Sequence, residues 1–394
     1  MKDIQIENRI PEYIKALCRR FYDAGEDVYV VGGSLRDIML DRAPDDFDLT
    51  TSATPRRVSE LFSDMRVIET GIKHGTVTVI ADGRPVEITT FRVDGSYTDS
   101  RHPDGVRFTG RIEEDLARRD LTVNAMAYND RSGLVDPFGG RDDLRAGLLR
   151  AVGDSRRRFS EDALRIMRTF RFSAQLGFTI EDGTLAGAIQ CMDGLSVIAR
   201  ERIAVEFLKL LRSDSPEGVL KLMIKISALP YITGDFIPKN EVLGLLSQMP
   251  SEDGARLGLF LSGADADTAR GVLRSLKYSN AQITGALAVL RGSEISILTP
   301  ADARRLIGDC GVYAKDGAMA SVLLGNSPPE AVSWVIGNTA PCTLRELAVS
   351  GRELIAVGIE GREVGKTLDR LLSAVIADPE LNTKEKLLAL ARKE

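Results

Sequence analysis

Two aspartates separated by a single residue, Asp46 and Asp48, are the side chains of this sequence best suited to chemistry. In an extended segment, residues two apart point to the same side, so both carboxylates face one site while Phe47 and Leu49 point into the protein. Two carboxylates this close repel each other unless a cation lies between them. A site of oxygen ligands shared with phosphates suits magnesium, so the sequence predicts that Asp46 and Asp48 hold this metal.

A glycine turn lies just upstream of the acidic pair. Residues 28–31 are β-branched or aromatic, Gly32 and Gly33 interrupt them, and residues 35–40 are typical of a short helix. Glycine lets the backbone come close to a ligand, and the free N–H groups at a helix start favour an anion. Arg36 can add a charged fork to a phosphate. We expect Gly33 and Arg36 to bind phosphates beside the metal, and a plain turn is the alternative.

A row of charged residues at three-residue spacing follows further along the chain. Its members are Asp162, Arg165, Arg168 and Arg171. We expect Ser160 to cap their helix, with Glu161 and Asp162 in the first turn. Each step of three residues falls about 60° short of a full turn, so the row winds obliquely and can meet different parts of one extended ligand.

The chemistry of this row suits the recognition of a base. A carboxylate accepts a hydrogen bond from an exocyclic amino group, which cytosine and adenine carry and uracil lacks, and an arginine donates to a ring acceptor. The sequence therefore predicts that Asp162 and Arg165 read the base of CTP or ATP without a template. Arg168 and Arg171 are then expected nearer the phosphates. The alternative is an ordinary charged helix with acid and base on neighbouring turns.

In their order, these motifs resemble the class II branch of the nucleotidyltransferases related to DNA polymerase beta. This family holds the CCA-adding tRNA nucleotidyltransferases and the bacterial poly(A) polymerases. The resemblance runs from about residue 28 to about residue 211, with a weaker echo in the tail. It implies that Arg119, the second arginine of an Arg-Arg-Asp motif, contacts the nucleotide. It also implies that the Glu-Asp-x-x-Arg motif at residues 161–165 selects the incoming base.

The resemblance implies attack by the 3′-hydroxyl of a tRNA on the α-phosphorus of CTP or ATP, with pyrophosphate leaving. Asp46 and Asp48 would hold two magnesium ions, one lowering the pKa of the hydroxyl and one neutralising the triphosphate. The alternatives are an A-adding tRNA nucleotidyltransferase, a bacterial poly(A) polymerase and, from another class, an inactive RNA-binding protein on the same fold. We find no damage at the metal pair or the base-reading row that would favour the inactive protein.

Two further features weigh between these alternatives. Residues 94–105 are polar and rich in turn residues, too long for a tight hairpin. In the family, enzymes that add the terminal A keep a flexible loop at this position, so its presence argues against a CC-only enzyme. The sequence also ends without the basic extension common in the polymerases. Addition of the whole CCA sequence is therefore the leading hypothesis.

Glu87 is a carboxylate inside an apolar segment predicted as a strand. Burying a carboxylate without a partner is costly, so a buried Glu87 needs one. Two interpretations stay open. Glu87 is either a third catalytic carboxylate near the metals or a surface-facing residue of an edge strand.

Composition limits the other function classes. The 394 residues are 43% hydrophobic and carry 52 basic and 57 acidic side chains, a net charge of −5, whereas a nucleic-acid binder is expected to be basic. Between residues 118 and 171, however, 12 arginines face 8 acidic residues, so the positive charge is concentrated at the motifs. Four scattered cysteines predict neither a zinc site nor disulfides, and no apolar run is long enough to span a membrane. We expect a cytoplasmic protein, and its oligomeric state stays open.

The periodicity predicts an α+β protein. A nucleotidyltransferase head with a mixed, largely antiparallel sheet is expected over residues 1–150, beginning with a helix over residues 1–25. Helices are expected to make up the remainder: a neck over 151–212 that contains the nucleotide-selecting helix, a body over 213–300 and a tail over 301–394. The resemblance implies that the tail binds tRNA. Arg202 and Glu206 in the neck are interpreted as structural residues.

Overall fold

The computed structural model describes residues 4–95 and 106–392. The chain divides into two compact units, Met1–Glu206 and Phe207–Glu394. Most of the predicted polar loop at residues 94–105 lies outside the described residues, so the argument against a CC-only enzyme stays a prediction. The boundaries of the head, neck, body and tail drawn from the sequence stay predictions as well.

The first unit is built around a central sheet. Its strands are β1 (Val28–Val31), β2 (Asp48–Thr51), β3 (Arg66–Ile68), β4 (Thr76–Ala81), β5 (Arg84–Thr90), β6 (Arg92–Asp94), β7 (Val106–Phe108), β8 (Ala127–Asn129), β9 (Gly133–Val135), β10 (Leu148–Leu149) and β11 (Thr179–Ile180). Within the described residues, seven of them form one sheet in the order β3-β4-β5-β2-β1-β8-β9. In that sheet β2 and β5 run parallel and the other neighbours run antiparallel. The predicted mixed, largely antiparallel sheet is confirmed.

Strand β1 is buried along its whole length in the middle of this sheet. All four of its residues are buried. Tyr29 and Val31 belong to an apolar cluster that also contains Phe91 and Leu116. Removing this apolar surface from water stabilises the sheet by about 25 cal/mol per Å². The glycine turn that follows β1 therefore starts from a firmly held strand.

Helices surround the sheet of the first unit. They are α1 (Ile4–Arg9), α2 (Glu12–Asp23), α3 (Gly33–Met39), α4 (Pro55–Leu61), α5 (Ile112–Ala117), α6 (Gly140–Ala146), α7 (Ser155–Glu161), α8 (Leu164–Leu176), α9 (Asp182–Gln190) and α10 (Arg200–Leu211), the last of which runs across the division. The helix predicted over residues 1–25 is interrupted at Pro11, which lacks an N–H group and cannot continue α1. Its predicted apolar face is buried at Ile10, Ile14, Leu17 and Phe21.

Two other local predictions are wrong. The apolar segment after Arg119 is predicted from the sequence as a helix, but it forms only a 3₁₀ turn, Thr122–Asn124, because the chain then enters β8 and pairs with β1. Ser160 does not cap a helix. It lies inside α7, where its hydroxyl donates to the carbonyl oxygen of Arg156, and the N-cap of α7 is Asp154.

The second unit is helical throughout its described residues. Its helices are α11 (Pro216–Lys225), α12 (Pro230–Thr233), α13 (Asn240–Leu243), α14 (Asp253–Phe260), α15 (Ala266–Ser275), α16 (Asn280–Glu294), α17 (Pro300–Cys310), α18 (Ala314–Leu323), α19 (Glu330–Ile336), α20 (Gly351–Ala356), α21 (Glu363–Ala377) and α22 (Lys384–Ala391). A Cβ at Gly292 would lie 2.6 Å from the Cα of Gly317, so glycine lets α16 and α18 touch backbone to backbone. Every helix in the described part of the chain is too short or too polar to span a bilayer.

The prediction of helices from residue 151 onward is confirmed with one exception. Strand β11 lies within the segment predicted as an all-helical neck. It pairs in parallel with β10, with Leu149 opposite Ile180. This short pairing connects the segment that follows α8 to the end of the predicted head.

Candidate active site

The acidic pair lies at the start of β2. Asp48 is the first residue of the strand, and Asp46 precedes it with an exposed side chain. Phe47 and Leu49 are 6% and 1% exposed. The predicted alternation is confirmed for these two apolar residues, which pack into the core and leave the carboxylates outside it.

Glu87 lies next to Asp48 on the neighbouring strand. The two residues are register partners in the parallel pairing of β2 with β5. Because β5 lies between β4 and β2, the edge-strand interpretation of Glu87 is wrong, although its side chain is exposed. Burial raises the pKa of Asp48 to about 6, and the negative charges of Asp46 and Glu87 add to this shift. The three carboxylates therefore belong to one electrostatic site.

This donor set fits a hard divalent cation that arrives with a phosphate ligand. In the described ranges, no group of three or more His, Cys, Asp or Glu side chains has the geometry to hold a metal ion unaided. Magnesium commonly takes one or two protein carboxylates and completes its shell with water and substrate phosphates. The repulsion among Asp46, Asp48 and Glu87 is relieved when a cation binds between them.

The glycine turn brings an arginine to the acidic site. Gly32 has a φ of +72°, a conformation that residues with a Cβ rarely adopt. A Cβ on Gly32 would lie 3.3 Å from Nη1 of Arg119 and 3.8 Å from Oδ2 of Asp48. A Cβ on Gly33 would lie 3.6 Å from Nη2 of Arg36. The two residues predicted to bind phosphate, Gly33 and Arg36, thus lie at this turn. The acidic Asp48 and the basic Arg119 lie there as well.

Arg119 is oriented by contacts on both sides. Its Nη2 donates to Oδ2 of Asp115 at 3.4 Å, and its Nη1 donates to the carbonyl oxygen of Asn124 at 3.4 Å. Asp115 is fully buried and also accepts from Arg118 at 2.9 Å. Although burial disfavours its charge, the two arginines hold the pKa of Asp115 below its ordinary value. Asp115 is thus an anionic anchor for the arginine that reaches the glycine turn.

Arg36 is buried and already hydrogen-bonded. Its Nε donates to Oδ1 of Asp37 at 2.9 Å, and its Nη1 donates to Oδ1 of Asn124 at 2.8 Å. Arg36 as a whole is 8% exposed. The structure therefore places Arg36 at Gly33, as the sequence predicts, but as part of a polar network rather than as a free surface fork.

Three members of the row of charged residues lie on α8, and Asp162 lies just before that helix. Helix α7 ends at Glu161 and α8 begins at Leu164, so Asp162 lies between them in an extended conformation. Oδ1 of Asp162 accepts from the backbone N–H of Leu164. Arg165 lies in the first turn of α8. The expectation of one helix carrying the whole row is wrong, because Asp162 ends one helix and hydrogen-bonds the start of the next.

Each of the four side chains has an oppositely charged partner. Asp162 accepts from Arg202 at 3.0 Å, Arg165 donates to Glu161 at 2.8 Å, Arg168 donates to Asp120 at 2.7 Å, and Arg171 lies 3.0 Å from Glu206 in an ion pair without hydrogen-bond alignment. Burial lowers the pKa of Arg171 to about 10 in spite of Glu206. Burial opposes the charge of Asp120, but Arg168 keeps the pKa of Asp120 far below its usual range.

Sequence reasoning missed the partners of this row. The sequence does not indicate Asp120 as the partner of Arg168, and the interpretation of Arg202 and Glu206 as structural residues does not connect them to the row. The available signal was the spacing of Arg202 and Glu206, which places opposite charges on one face of α10 where they match Asp162 and Arg171.

The row and the acidic site are joined through the arginine pair. Nη2 of Arg165 donates to the carbonyl oxygen of Arg118 at 3.2 Å. The next residue, Arg119, carries its guanidinium to Gly32 and Asp48. The base-reading candidates and the metal-binding candidates therefore lie on either side of one short segment of chain.

Comparisons with known proteins agree with this arrangement. The model of the poly A polymerase head domain matches residues 28–150, and that of the probable RNA and SrmB-binding site of polymerase A matches residues 177–236. The CCA-adding enzyme of Limosilactobacillus fermentum is 37% identical over 389 residues, 96% of each chain, and that of Lactobacillus helveticus is 35% identical over 384 residues, 94% of each chain. The crystal structure of the Bacillus stearothermophilus CCA-adding enzyme in complex with CTP superposes with a TM-score of 0.81, at 30% identity over 96% of each chain. With its acidic strand, glycine turn and arginine-rich helix in place, this chain belongs to the family of CCA-adding enzymes and is a nucleotidyltransferase that uses divalent metal.

Proposed function

We propose that this protein adds C, C and A to the 3′ end of tRNA from CTP and ATP and releases pyrophosphate. The observation that carries the proposal is the convergence of Asp48 and Arg119 on Gly32, which has no side chain of its own to keep them apart. This convergence puts a metal-binding carboxylate and a phosphate-binding guanidinium at one backbone turn. The full-length similarity to CCA-adding enzymes favours this activity over A-only or poly(A) addition.

In the proposed enzyme, Asp46 and Asp48 hold two magnesium ions and Glu87 is the third carboxylate beside them. When bound, the metal lowers the pKa of the attacking 3′-hydroxyl and neutralises the triphosphate. The backbone at Gly33 and the guanidiniums of Arg36 and Arg119 bind and orient the phosphates. Both guanidiniums are already oriented by hydrogen bonds to neighbouring residues, so little reorganisation is required when the nucleotide enters.

Asp162 and Arg165 read the base in this proposal, and Arg168 and Arg171 hold the side of the nucleotide nearer the phosphates. The ion pairs of the row do not prevent this. A carboxylate has about four acceptor sites and a guanidinium five N–H donors, so Asp162 can keep Arg202 and Arg165 can keep Glu161 while each bonds to a base. The pairs then hold the two reading groups at the start of α8.

The remaining assignments extend the same proposal. We propose a catalytic head over residues 1–150, a neck over 151–212, a body over 213–300 and a tRNA-binding tail over 301–394. A cytoplasmic location stays a prediction from the cysteine distribution.

The decisive experiment separates the two nucleotides and the state of the tRNA end. Recombinant protein is incubated with labelled CTP or labelled ATP and with tRNA that lacks the whole CCA end, tRNA that lacks only the terminal A, or complete tRNA. We expect C to enter only the first tRNA, A to enter the second, and nothing to enter the third. Failure to incorporate C would leave an A-adding enzyme, and repeated A addition to complete tRNA would indicate a poly(A) polymerase.

A further inference from the structure

Three guanidinium groups surround the ring of Phe172. The Cζ atoms of Arg36, Arg168 and Arg171 lie 5.0, 5.4 and 4.0 Å from its centroid. All three distances fall within the roughly 6 Å over which a cation is attracted to an aromatic face. Arg36 belongs to α3 and the other two belong to α8, so one ring is shared by the helix of the glycine turn and the arginine-rich helix.

Polar contacts close a loop around this ring. Nη1 of Arg36 donates to Oδ1 of Asn124 at 2.8 Å, and Nδ2 of Asn124 donates to Oδ1 of Asp120 at 3.3 Å. Nε of Arg168 donates to the other oxygen of Asp120 at 2.7 Å. Arg36 and Arg168 are thus connected twice, once through Asn124 and Asp120 and once through Phe172. All members except Arg168 are under 10% exposed.

The ring of Phe172 interacts with the three arginines in a way that their carboxylate partners cannot. Three like charges in a buried cluster repel one another, and burial lowers the pKa of Arg171 with Arg168 and Arg36 contributing to the shift. A carboxylate partner occupies N–H donors, whereas the face of a ring attracts the cation and leaves its N–H donors free in the guanidinium plane. An aliphatic side chain of similar size fills the same space without this attraction.

We propose that Phe172 is a positioning residue whose ring holds Arg36, Arg168 and Arg171 in the arrangement that receives the triphosphate of the incoming nucleotide. This inference rests on the proposed function, since that function supplies the nucleotide. Phe172 acts through the arginines and touches neither the base nor the reacting atoms in this scheme.

Phe170 is the matched control. It lies on the same helix, is 0% exposed and is also a phenylalanine, but among the described residues no guanidinium lies over its ring. A substitution at position 170 therefore tests packing alone. The same substitution at position 172 tests packing together with attraction to the arginines.

In the test, either Phe172 or Phe170 of the full-length protein is replaced by mono-, di- or trifluorophenylalanine. Fluorine weakens the negative face of the ring in steps and hardly changes its shape. At position 172 we expect the KM for CTP and for ATP to rise with each fluorine, to about tenfold for the trifluoro ring, while kcat changes less. At position 170 we expect changes below about twofold. The dissociation constant of CTP, measured by calorimetry without tRNA, should follow the same two patterns.

Substitutions of Phe172 by natural amino acids provide a second test. Phe172→Leu should raise KM as the trifluoro ring does, and Phe172→Trp, which keeps a strong aromatic face, should retain more of the nucleotide affinity. A flat fluorine series at position 172, or equal slopes at 170 and 172, overturns the inference and leaves Phe172 a packing residue. If unmodified protein incorporates neither C nor A, the proposed function fails, and the calorimetric series still decides the role of Phe172.

Discussion

Asp48 carries a charge that the fold disfavours. Burial and the neighbouring acids raise its pKa from 3.8 to about 6. Between these two values the native protein binds more protons than the unfolded chain, so the contribution of this group to stability falls as pH rises from about 4 to about 6. Above that range the ionised carboxylate destabilises the metal-free fold. Keeping an acid here is consistent with a need for metal rather than for stability.

The variant Asp48→Asn should therefore be more stable and inactive. At about pH 7.5 in EDTA we expect its free energy of unfolding to exceed that of the parent by about 1 kcal/mol, because the amide removes the cost of the buried charge. Near pH 4 the difference should vanish, since the parent carboxyl is then protonated. Urea unfolding at both pH values measures this. Asp46→Asn, at an exposed position, should change stability little, and a destabilised Asp48→Asn contradicts the electrostatic account.

At the scale of elements, the turn between β1 and α3 leaves the space at Gly32 in which Arg119 comes near Asp48. Strand β1 was predictable from its composition, and so was the glycine interruption after it. The approach of Arg119 was not, because it depends on α5 and the 3₁₀ turn at Thr122–Asn124 rather than on residues near Gly32.

The variant Gly32→Ala should show whether activity depends on the approach of Arg119 or is lost through backbone strain alone. Its Cβ would stand 3.3 Å from Nη1 of Arg119 at a positive φ, so we expect kcat/KM for CTP to fall by about a hundredfold and stability by about 1–2 kcal/mol. Gly25→Ala is the control, because Gly25 has a similar φ of +77° and open space around its Cβ. It should lose stability alone. If both variants lose activity equally, backbone strain and not the approach of Arg119 explains the effect.

A second prediction at this scale concerns α10. Arg202→Gln removes the charged partner of Asp162, so we expect kcat/KM to fall about tenfold for CTP and ATP, with Arg202→Lys restoring part of it. Steady-state incorporation assays measure this. Arg212→Gln, which removes the more exposed pair with Asp253 in the second unit, is the control and should have kcat/KM within about twofold of the parent. A normal kcat/KM for Arg202→Gln would show that Asp162 needs no fixed orientation.

The elements also show where sequence reasoning succeeds and where it stops. The β-branched and apolar segments at 28–31, 47–50, 76–80 and 86–91 are predicted as strands, and β1, β2, β4 and β5 begin and end within about two residues of these bounds. Sequence reasoning did not predict the break between α7 and α8. Charge spacing alone favours one continuous helix, whereas Asp162 is extended and its carboxylate accepts from the N–H of Leu164 at the start of α8.

At the scale of the whole molecule, the concentration of arginines near the motifs is not a free positive surface. The row pairs with Asp120, Glu161 and Glu206, and the arginine pair shares Asp115. Net charge could be counted from the sequence, but the pairing could not, since it joins elements distant along the chain. The arginines of the row and the arginine pair are therefore predicted to bind the nucleotide rather than to attract RNA in general.

Asp46→Ala should accordingly separate catalysis from tRNA binding. We expect incorporation to fall by at least about a thousandfold, since a metal carboxylate is lost, while the dissociation constant for tRNA stays within about threefold. Gel-shift titration at fixed salt and labelled-nucleotide incorporation measure the two quantities. Retained incorporation would refute the assignment of Asp46, and a large loss of tRNA affinity would place RNA on the acidic site.

The parallel pairing of β2 with β5 also has a consequence for biosynthesis. Asp48 meets Glu87 only after β3 and β4 have been made and the chain has returned to the middle of the sheet, and Arg171 meets Glu206 later still. Contacts this distant in sequence form slowly. A nascent chain on the ribosome therefore lacks the pairing of Asp48 with Glu87 until β5 has been made, and it lacks the pair of Arg171 with Glu206 until almost the whole first unit has been made.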